Sequence, residues 1–269
     1  MSNNIVEALN VQVIGSGDNY VMFGHGLGTD QSIWQRILPY FNNGTTYRVI
    51  LYDLASAGTV KPELFNFIKY ATLNGYADDV LDILSALGVL SCAFVGHSAS
   101  AMTAILAAIR CPELFSKLIL LGASPRLVND VDYDGGVLEE AQVGGMFAAM
   151  EVDYAAWVGC SAAAAVGGDL PEAVQEYSRT MLNTRPDIAS YALRTFVNTD
   201  IRGLLCHVRV PCHIIQTARD SAVPLSAAVY LWRHLGGRTT FEILRTEGHL
   251  PHLTAPTLLG PAIQRALLQ

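Results

Sequence analysis

Short runs of consecutive apolar residues alternate along this chain with longer stretches in which apolar residues recur at helical spacing. Because the short runs are largely apolar, they predict strands of a parallel sheet that is covered by helices on both faces. The first residues, IVEALNVQVIGSG at 5–17, indicate an antiparallel hairpin at the edge of that sheet. The predicted strands lie at 20–26, 47–53, 91–97, 117–123, 212–218 and 241–245. The predicted helices lie at 75–89, at 100–109, at 225–235 and after Pro256.

One long segment interrupts this alternation of strands and helices. Residues 125–200 contain no convincing strand, and an insertion of this length between two strands is typically functional, often a lid over a binding site. The sequence therefore predicts a single α/β domain made of residues 1–124 and 201–269, with a helical lid inserted at 125–200. The helices predicted within the lid lie at about 136–150, 152–160, 171–183 and 186–197.

Composition and charge exclude several classes of function. Of the 269 residues, 51% are hydrophobic and 15% are charged, which is typical of a compact globular protein that buries its apolar surface without disulfides or structural metal. The formal net charge of −7, without a run of Lys and Arg, argues against binding to nucleic acid or anionic lipid. The N-terminal residues lack the basic and apolar segments of a signal peptide, and no run of eighteen apolar residues predicts a membrane span.

The cysteines and histidines show no spacing that is typical of a metal site. The five cysteines are odd in number and scattered, so we expect reduced thiols in an intracellular protein, most of them filling the core. No phosphate-binding or metal-binding motif is present, and we expect neither a metal nor a cofactor. Nothing in the sequence suggests an obligate oligomer, so we expect a monomer.

The stretch FVGHSAS at 94–100 places a serine between a predicted strand and a predicted helix. A turn that presents a nucleophilic serine in this setting usually reads G-x-S-x-G, the pattern of α/β hydrolases. Here the last position is Ser100 instead of glycine, yet Ala99 and Ser100 are both small enough for a strained turn. We therefore interpret Ser98 as a nucleophile and not as a simple helix N-cap.

A serine nucleophile needs a base, usually a histidine that is oriented by a carboxylate. In α/β hydrolases the serine, the acid and the histidine follow in this order, each after a strand. Asp220 and His249 each follow a predicted strand, so the triad Ser98, Asp220 and His249 is predicted at the edge where the carboxyl ends of the strands meet.

Other acids and another histidine lie near these positions in the sequence. Asp187 and Asp200 are rivals of Asp220 for orienting the base, but neither follows a predicted strand. His252 lies three residues after His249 and is interpreted as a residue of the surface or of the pocket rim.

Attack on a carbonyl also requires N–H donors for the oxyanion, normally one after the nucleophile and one from an early loop. Ala99 supplies the first of these N–H groups. The loop GHGLG at 24–28 supplies the second through Leu27, because its glycines let the backbone come close. His25 is predicted to brace this loop and not to act as a catalytic residue.

Across nearly its whole length, the chain resembles the plant karrikin and strigolactone receptors, a family of small α/β hydrolases that act in signalling. The strings SPRLVNDVDYDGG and VQEYSRT are not general hydrolase motifs, which makes the resemblance specific, and it looks closer to the karrikin branch. In this family the nucleophile motif typically ends in serine, as at Ser100, whereas related bacterial stress-response hydrolases keep the glycine. Ala99 differs from the valine that is usual there. The matching stretches are NVQVIGSG, GHGLGTDQSIW, YRVILYD, SAGT, FVGHSAS, CPELFSKLILLGASPRLVNDVDYDGG, AVGGD, VQEYSRT, RPDIA, VPCHIIQ and EGHLPHL.

The resemblance implies a butenolide receptor that is also a slow serine hydrolase. Ser98 is expected to attack the ligand, with His249 as the base and Asp220 orienting it, and part of the ligand to stay attached to His249 or Ser98 for a time. The ligand-loaded receptor is expected to engage a leucine-rich-repeat F-box protein and a repressor, in the cytoplasm and nucleus. Two alternatives stay open: a metabolic carboxylesterase without a signalling partner, and a binding protein whose triad is a relic.

The lid departs from the pattern of this family. Several pocket positions that are aromatic in karrikin receptors carry smaller residues here, so we expect a larger pocket with a different ligand preference. Tyr177 keeps a ring, and Met146 and Ser221 are also expected to line the pocket. The alternative is that Phe147 or Trp157 rotates into the freed space. The smaller pocket residues are Leu27, Leu127, Val137, Ser161 and Val197.

Overall fold

The computed structural model describes residues 5–41 and 46–269 of the chain. The strands in these residues are β1 (Gln12–Ile14), β2 (Asn19–Gly24), β3 (Tyr47–Leu51), β4 (Cys92–His97), β5 (Phe115–Leu121), β6 (Cys212–Arg219) and β7 (Thr239–Glu247). These seven strands form one sheet in the spatial order β1-β3-β2-β4-β5-β6-β7, in which only the β1–β3 pair is antiparallel. This arrangement confirms the predicted, mostly parallel sheet.

Helices flank the sheet and fill the segment between β5 and β6. The helices of the core are α1 (Ile5–Ala8), α2 (Leu73–Ala86), α3 (Ala99–Arg110), α8 (Leu225–His234), α9 (Pro251–Thr254) and α10 (Pro256–Leu268). The helices between β5 and β6 are α4 (Glu140–Val152), α5 (Tyr154–Val166), α6 (Pro171–Asn183) and α7 (Pro186–Val197). Short 3₁₀ helices lie at Gln31–Trp34, Leu38–Tyr40, Pro62–Leu64, Lys69–Ala71, Pro112–Leu114 and Arg202–His207.

The two faces of the sheet bury separate apolar cores. Successive residues of a strand point to opposite faces, so Met22 and Phe94 pack with α2, α3 and α8, whereas Phe23 and Val95 pack with α9 and α10. The central strands β2, β4 and β5 are therefore buried on both faces over most of their length, and functional groups on them can reach a ligand only at their ends.

The first residues do not form the predicted hairpin. Ile5–Ala8 is a helical turn that packs near α2, and only β1 joins the sheet, as an antiparallel neighbour of β3. The turn buries Leu9 in the core of α2 and α3, and the chain then reverses at Asn10, which has a positive φ of 50°. The antiparallel edge was therefore predicted correctly, but its partner strand was not.

The first two lid helices begin later than the sequence predicted. Glu139 caps α4 in a capping box with Gln142, and the carboxylate of Asp153 accepts the N–H of Ala156 at the start of α5. These caps place the starts at Glu140 and Tyr154 instead of at 136 and 152. The lid also has a small apolar core of its own, formed by Val128, Phe147, Met150 and Val197.

The cysteines are less buried than predicted. All five are free thiols, but only Cys92 and Cys212 are buried, whereas Cys160 and Cys206 are exposed. In the described parts of the chain, no helix is long and apolar enough to cross a membrane.

Candidate active site

Ser98 lies in a strained turn between β4 and α3. Its backbone has a φ of 51° and a ψ of −110°, a conformation that L-residues rarely adopt. The turn closes tightly, because a Cβ at Gly96 would lie 2.7 Å from the backbone nitrogen of Ala101. The Ser98 side chain makes no capping hydrogen bond to the helix. The hydroxyl is therefore presented to the carboxyl edge of the sheet, and its geometry is that of a nucleophile elbow.

Ser100, where many hydrolases have glycine, is fully buried and has a structural partner. Its hydroxyl donates to the carbonyl oxygen of His25 at 2.5 Å. The neighbouring strand accommodates it because residue 24 is a glycine, where a Cβ would lie 2.6 Å from the Cβ of Ser100. The serine thus ties the nucleophile turn to the loop at 24–28.

Asp220 and His249 form the acid–base pair of this edge. His249 Nδ1 lies 2.8 Å from Asp220 Oδ2, and the other carboxylate oxygen accepts the N–H groups of Ala222 and Val223 at 2.8 and 3.0 Å. Burial by itself raises the pKa of Asp220, but the charge and hydrogen bond of His249 and these two N–H groups hold it below its ordinary value. A charged Asp220 fixes the proton of His249 on Nδ1, which leaves Nε2 free to accept one.

Three neighbours hold the backbone on either side of the His249 ring. The N–H of His249 donates to the carbonyl oxygen of Ala165, near the end of α5, at 2.7 Å. Its own carbonyl oxygen lies 2.8 Å from His97 Nε2, and the hydroxyl of Thr217 donates to the carbonyl oxygen of Gly248 at 2.8 Å. The position of the base therefore depends on the lid as well as on β4 and β6.

The loop at 24–28 is braced from within, as predicted for His25. The N–H of Leu54 donates to His25 Nε2 at 2.9 Å, so the ring proton is on Nδ1, which donates to the carbonyl oxygen of Gly26 at 2.8 Å. Burial lowers the pKa of His25, so the ring stays neutral. Leu27 and Ala99, the two predicted oxyanion residues, both line the cavity that contains Ser98.

The rival acids lie elsewhere. Asp187 is paired with Arg185 on the surface, and Asp200 pairs with Arg126 and Arg202 where the lid meets the core. Neither lines the cavity of Ser98 and His249, whereas Asp220 contacts His249 directly. The geometry therefore favours Asp220.

The expected place of His252 at the surface or pocket rim was wrong. Its ring is fully buried, with its centroid 4.9 Å from that of Trp34 and 4.4 Å from that of His97. The short helix α9 starts at Pro251 and packs on the 3₁₀ helix Gln31–Trp34, which carries the ring inward. The flanking Leu250 and Leu253 are buried too, a signal that the sequence offered.

A cavity of about 420 Å³ extends from Ser98 and His249 into the lid. Trp157 also lines it, whereas Phe147 does not and packs in the lid core under Arg194. All eight pocket residues predicted from the sequence line it: Leu27, Leu127, Val137, Met146, Ser161, Tyr177, Val197 and Ser221. Sequence reasoning missed the other methionines of the wall, Met102, Met150 and Met181, and the hydroxyl residues Ser56, Ser124, Tyr154 and Thr184.

Within 5–41 and 46–269, no group of His, Cys, Asp and Glu side chains is arranged to hold a metal ion. The chemistry that the site can perform follows from its side chains and N–H groups, which together suit attack on a carbonyl carbon.

The buried His252 is expected to make the protein less stable in acid. Burial lowers its pKa to about 3 from an ordinary value of 6.5. Below pH 6.5 the unfolded chain therefore binds a proton that the folded chain does not, and stability that is fully present above pH 6.5 is lost as the pH falls. We expect His252→Phe to reduce the slope of the unfolding free energy against pH by up to about 1.4 kcal/mol per pH unit.

Urea unfolding at a series of pH values between about 7 and 4 measures this slope. The matched control is His207→Phe, which changes an exposed histidine of the 3₁₀ helix Arg202–His207. An unchanged slope in His252→Phe would contradict the prediction.

The fold and the site together define the class of α/β hydrolases. The serine, the acid and the histidine follow in the chain order of that class, at the carboxyl edge of a parallel sheet. The model of the Alpha/beta hydrolase family matches residues 21–259. A solved hydrolase from Oleispira antarctica has the same fold, with a TM-score of 0.94 and 28% identity over 99% of this chain and 97% of that one.

Curated relatives place the chain more narrowly. It is 55% identical to the strigolactone esterase of Pisum sativum over the full length of both chains, and 56% identical to that of Arabidopsis thaliana over 98% of each. It is 47% identical to Karrikin insensitive 2 receptor IA of Petunia hybrida over 98% of this chain and 95% of that one. The chain belongs to the plant family of strigolactone esterases and karrikin receptors. The identities are higher on the strigolactone side, so the preference for the karrikin branch was wrong.

Proposed function

We propose that this protein is a receptor for butenolide ligands that also hydrolyses them slowly. The observation that carries the proposal is the cavity of about 420 Å³, mostly apolar, that ends at Ser98 and His249. A mostly apolar wall that also contains a nucleophile and a base suits a small lactone or ester whose carbonyl lies at the nucleophile. The high identity to proteins named strigolactone esterases supports this ligand class over an ordinary ester of metabolism.

The proposed mechanism uses the three side chains that lie at this edge of the sheet. Ser98 Oγ attacks the ligand carbonyl while His249 Nε2 takes its proton, and Asp220 stabilises the imidazolium that forms. The N–H groups of Leu27 and Ala99 donate to the oxyanion. The tetrahedral intermediate expels its leaving group, which takes the proton from His249, and an acyl group stays on Ser98 until water releases it.

In the receptor function, the covalent intermediate persists long enough for partner proteins to bind. Part of the ligand stays attached to Ser98 or His249 while the lid is closed over it. In that state the protein, a monomer in the cytoplasm and nucleus, engages a leucine-rich-repeat F-box protein and a repressor.

The ligand preference is set by the lid side of the cavity. Small residues such as Val137, Ser161 and Val197 leave room, and Trp157 takes up part of it. Methionine side chains are flexible and polarizable, so the four that line this cavity suit a ligand whose second ring varies in shape. The resemblance implies aromatic residues at several of these positions in karrikin receptors, so we expect this cavity to favour a different set of butenolides.

Intact-protein mass spectrometry after incubation with a synthetic butenolide ester tests the proposal. We expect a mass increase of the size of the butenolide ring in the wild type and none in Ser98→Ala, because the variant lacks the attacking oxygen. Ser85→Ala, at an exposed position of α2, is the matched control and should form the adduct.

The other outcomes separate the alternatives. Rapid release of free acid over many turnovers without an adduct would favour a metabolic carboxylesterase. Neither adduct nor product would contradict both the ligand class and the working triad. An adduct of equal yield in Ser98→Ala would overturn the role of this serine.

A further inference from the structure

His97 lies between three segments that the proposed reaction uses. It directly precedes Ser98 at the end of β4. Its Nε2 lies 2.8 Å from the carbonyl oxygen of His249, and its Nδ1 lies against Gly26, where a Cβ would approach that nitrogen to 2.5 Å. One buried side chain therefore contacts the loop of the base and the loop that carries Leu27.

The hydrogen bond to His249 fixes the tautomer of His97. A carbonyl oxygen only accepts, so His97 Nε2 carries the proton and donates it. Nδ1 then has a lone pair, and within the described residues no donor lies within hydrogen-bond distance of it. The N–H of Nε2 is thus the one polar contact through which this ring holds another part of the site.

The rings around His97 keep it neutral and in place. Its centroid lies 4.6 Å from that of His249 and 4.4 Å from that of His252, and the ring of Trp34 packs against that of His252. Burial, together with the charges that His252, His249 and His25 could carry, lowers the pKa of His97 well below its ordinary value. A neutral ring at this place does not oppose the positive charge that His249 acquires when it takes the proton of Ser98.

From this geometry we propose that His97 is a positioning residue for the base. Its Nε2–H holds the carbonyl oxygen of His249, so that the imidazole stays aligned between Asp220 and the ligand, and its ring supports Gly26 beside the oxyanion position. The inference rests on the proposed serine mechanism. Because His97 does not line the cavity, it acts on the reaction step and not on ligand binding.

The test compares His97→Phe, which keeps a ring but removes the donor, with His97→Gln, whose amide N–H takes the place of Nε2–H. We expect kcat for a synthetic butenolide ester to fall about 10- to 100-fold in His97→Phe, since a displacement of about 1 Å can cost 10²-fold. KM should stay within about twofold, and His97→Gln should recover most of kcat. A merely structural role would give neither the kcat-specific loss nor the recovery.

The matched control is His213→Phe, which changes another buried histidine that contacts Thr240 on β7 and not the cavity. Its kcat should equal that of the wild type. If His97→Phe does not fold, His97→Met removes the donor with a flexible side chain and replaces it in the comparison.

The outcomes separate this inference from the proposed function. Wild-type kcat in the folded variants that lack the donor would overturn it, as would an equal loss in His97→Gln. If Ser98→Ala is inactive while His97→Phe is fully active, only the role of His97 fails. If Ser98→Ala keeps its activity, both the serine mechanism and the proposed role of His97 are wrong.

Discussion

Replacing His249 by alanine is expected to lower kcat for a butenolide ester by up to about 10⁶-fold, the loss that removal of the base of a serine triad causes. Without the imidazole, nothing takes the proton of Ser98 Oγ, and a neutral hydroxyl is a poor nucleophile. Ligand binding should change little, because the cavity wall is mostly apolar and is built largely by other residues. Single-turnover kinetics and a binding titration measure the two effects separately.

Replacing Asp220, the acid that orients the base, is expected to lower kcat less than replacing His249 does. We expect Asp220→Asn to lower kcat by about 10⁴-fold, because an amide no longer fixes the proton of His249 on Nδ1. Combining it with His249→Ala should add little further loss, because the two residues act as one unit. The matched control is His207→Ala, at an exposed position. If the loss of kcat in the double variant equals the product of the two single losses, the two residues do not act as one unit.

The sheet and the triad could be predicted because the same feature of the sequence encodes both. Parallel strands that are buried on both faces are apolar throughout, and their carboxyl ends meet at one edge. Ser98 and Asp220 follow buried strands, and His249 follows the half-buried edge strand β7, so their convergence required no knowledge of distant contacts. The hydrogen bond between His249 and Asp220 is the result of that topology.

Other features depend on contacts that no local pattern contains. The apolar neighbours Leu250 and Leu253 indicated that His252 is buried, but its ring contact with Trp34, more than two hundred residues earlier in the chain, could not be read from the local pattern. The helical turn at Ile5–Ala8 exists because it buries Leu9 against the core of α2 and α3, whereas its short apolar pattern also fitted a strand. Side-chain burial and short terminal elements are settled by tertiary packing.

The methionines that line the cavity are a third feature that the sequence pattern could not predict. Met102, Met150 and Met181 lie on three different helices, and a methionine at helical spacing looks the same in a core and in a pocket wall. Only the packing of the lid over the sheet edge brings them together around one volume. The resemblance to a family could place pocket residues that this pattern could not.

The lid and the base are joined at the end of α5. The carbonyl oxygen of Ala164 accepts the hydroxyl of Ser221, one residue after Asp220, and that of Ala165 accepts the N–H of His249. The last carbonyl oxygens of a helix have no partner within the helix, so the active-site loops satisfy them here. A movement of α5 therefore cannot leave the geometry of His249 unchanged.

Gly248→Ala is expected to disrupt the contact between the end of α5 and the loop of His249. Gly248 has a φ of 83°, and a Cβ there would lie 1.9 Å from the carbonyl oxygen of Val166, so either α5 or the loop of His249 must shift. We expect kcat to fall by about 10²-fold or more, because the base moves relative to Ser98. We also expect a lower midpoint of thermal unfolding, which differential scanning calorimetry measures alongside the kinetics.

Gly159→Ala is the matched control, because it makes the same change within α5 at an exposed position where a Cβ meets nothing within 4 Å. A helical alanine there should stabilise the protein by about 0.5–1 kcal/mol and leave kcat unchanged. If Gly248→Ala unfolds at a lower temperature but keeps the kcat of the wild type, α5 and the base are not coupled through this contact. Loss of kcat in Gly248→Ala alone would show that hydrolysis depends on the close approach of Gly248 to α5, the contact through which a lid that closes on its ligand would act on the base.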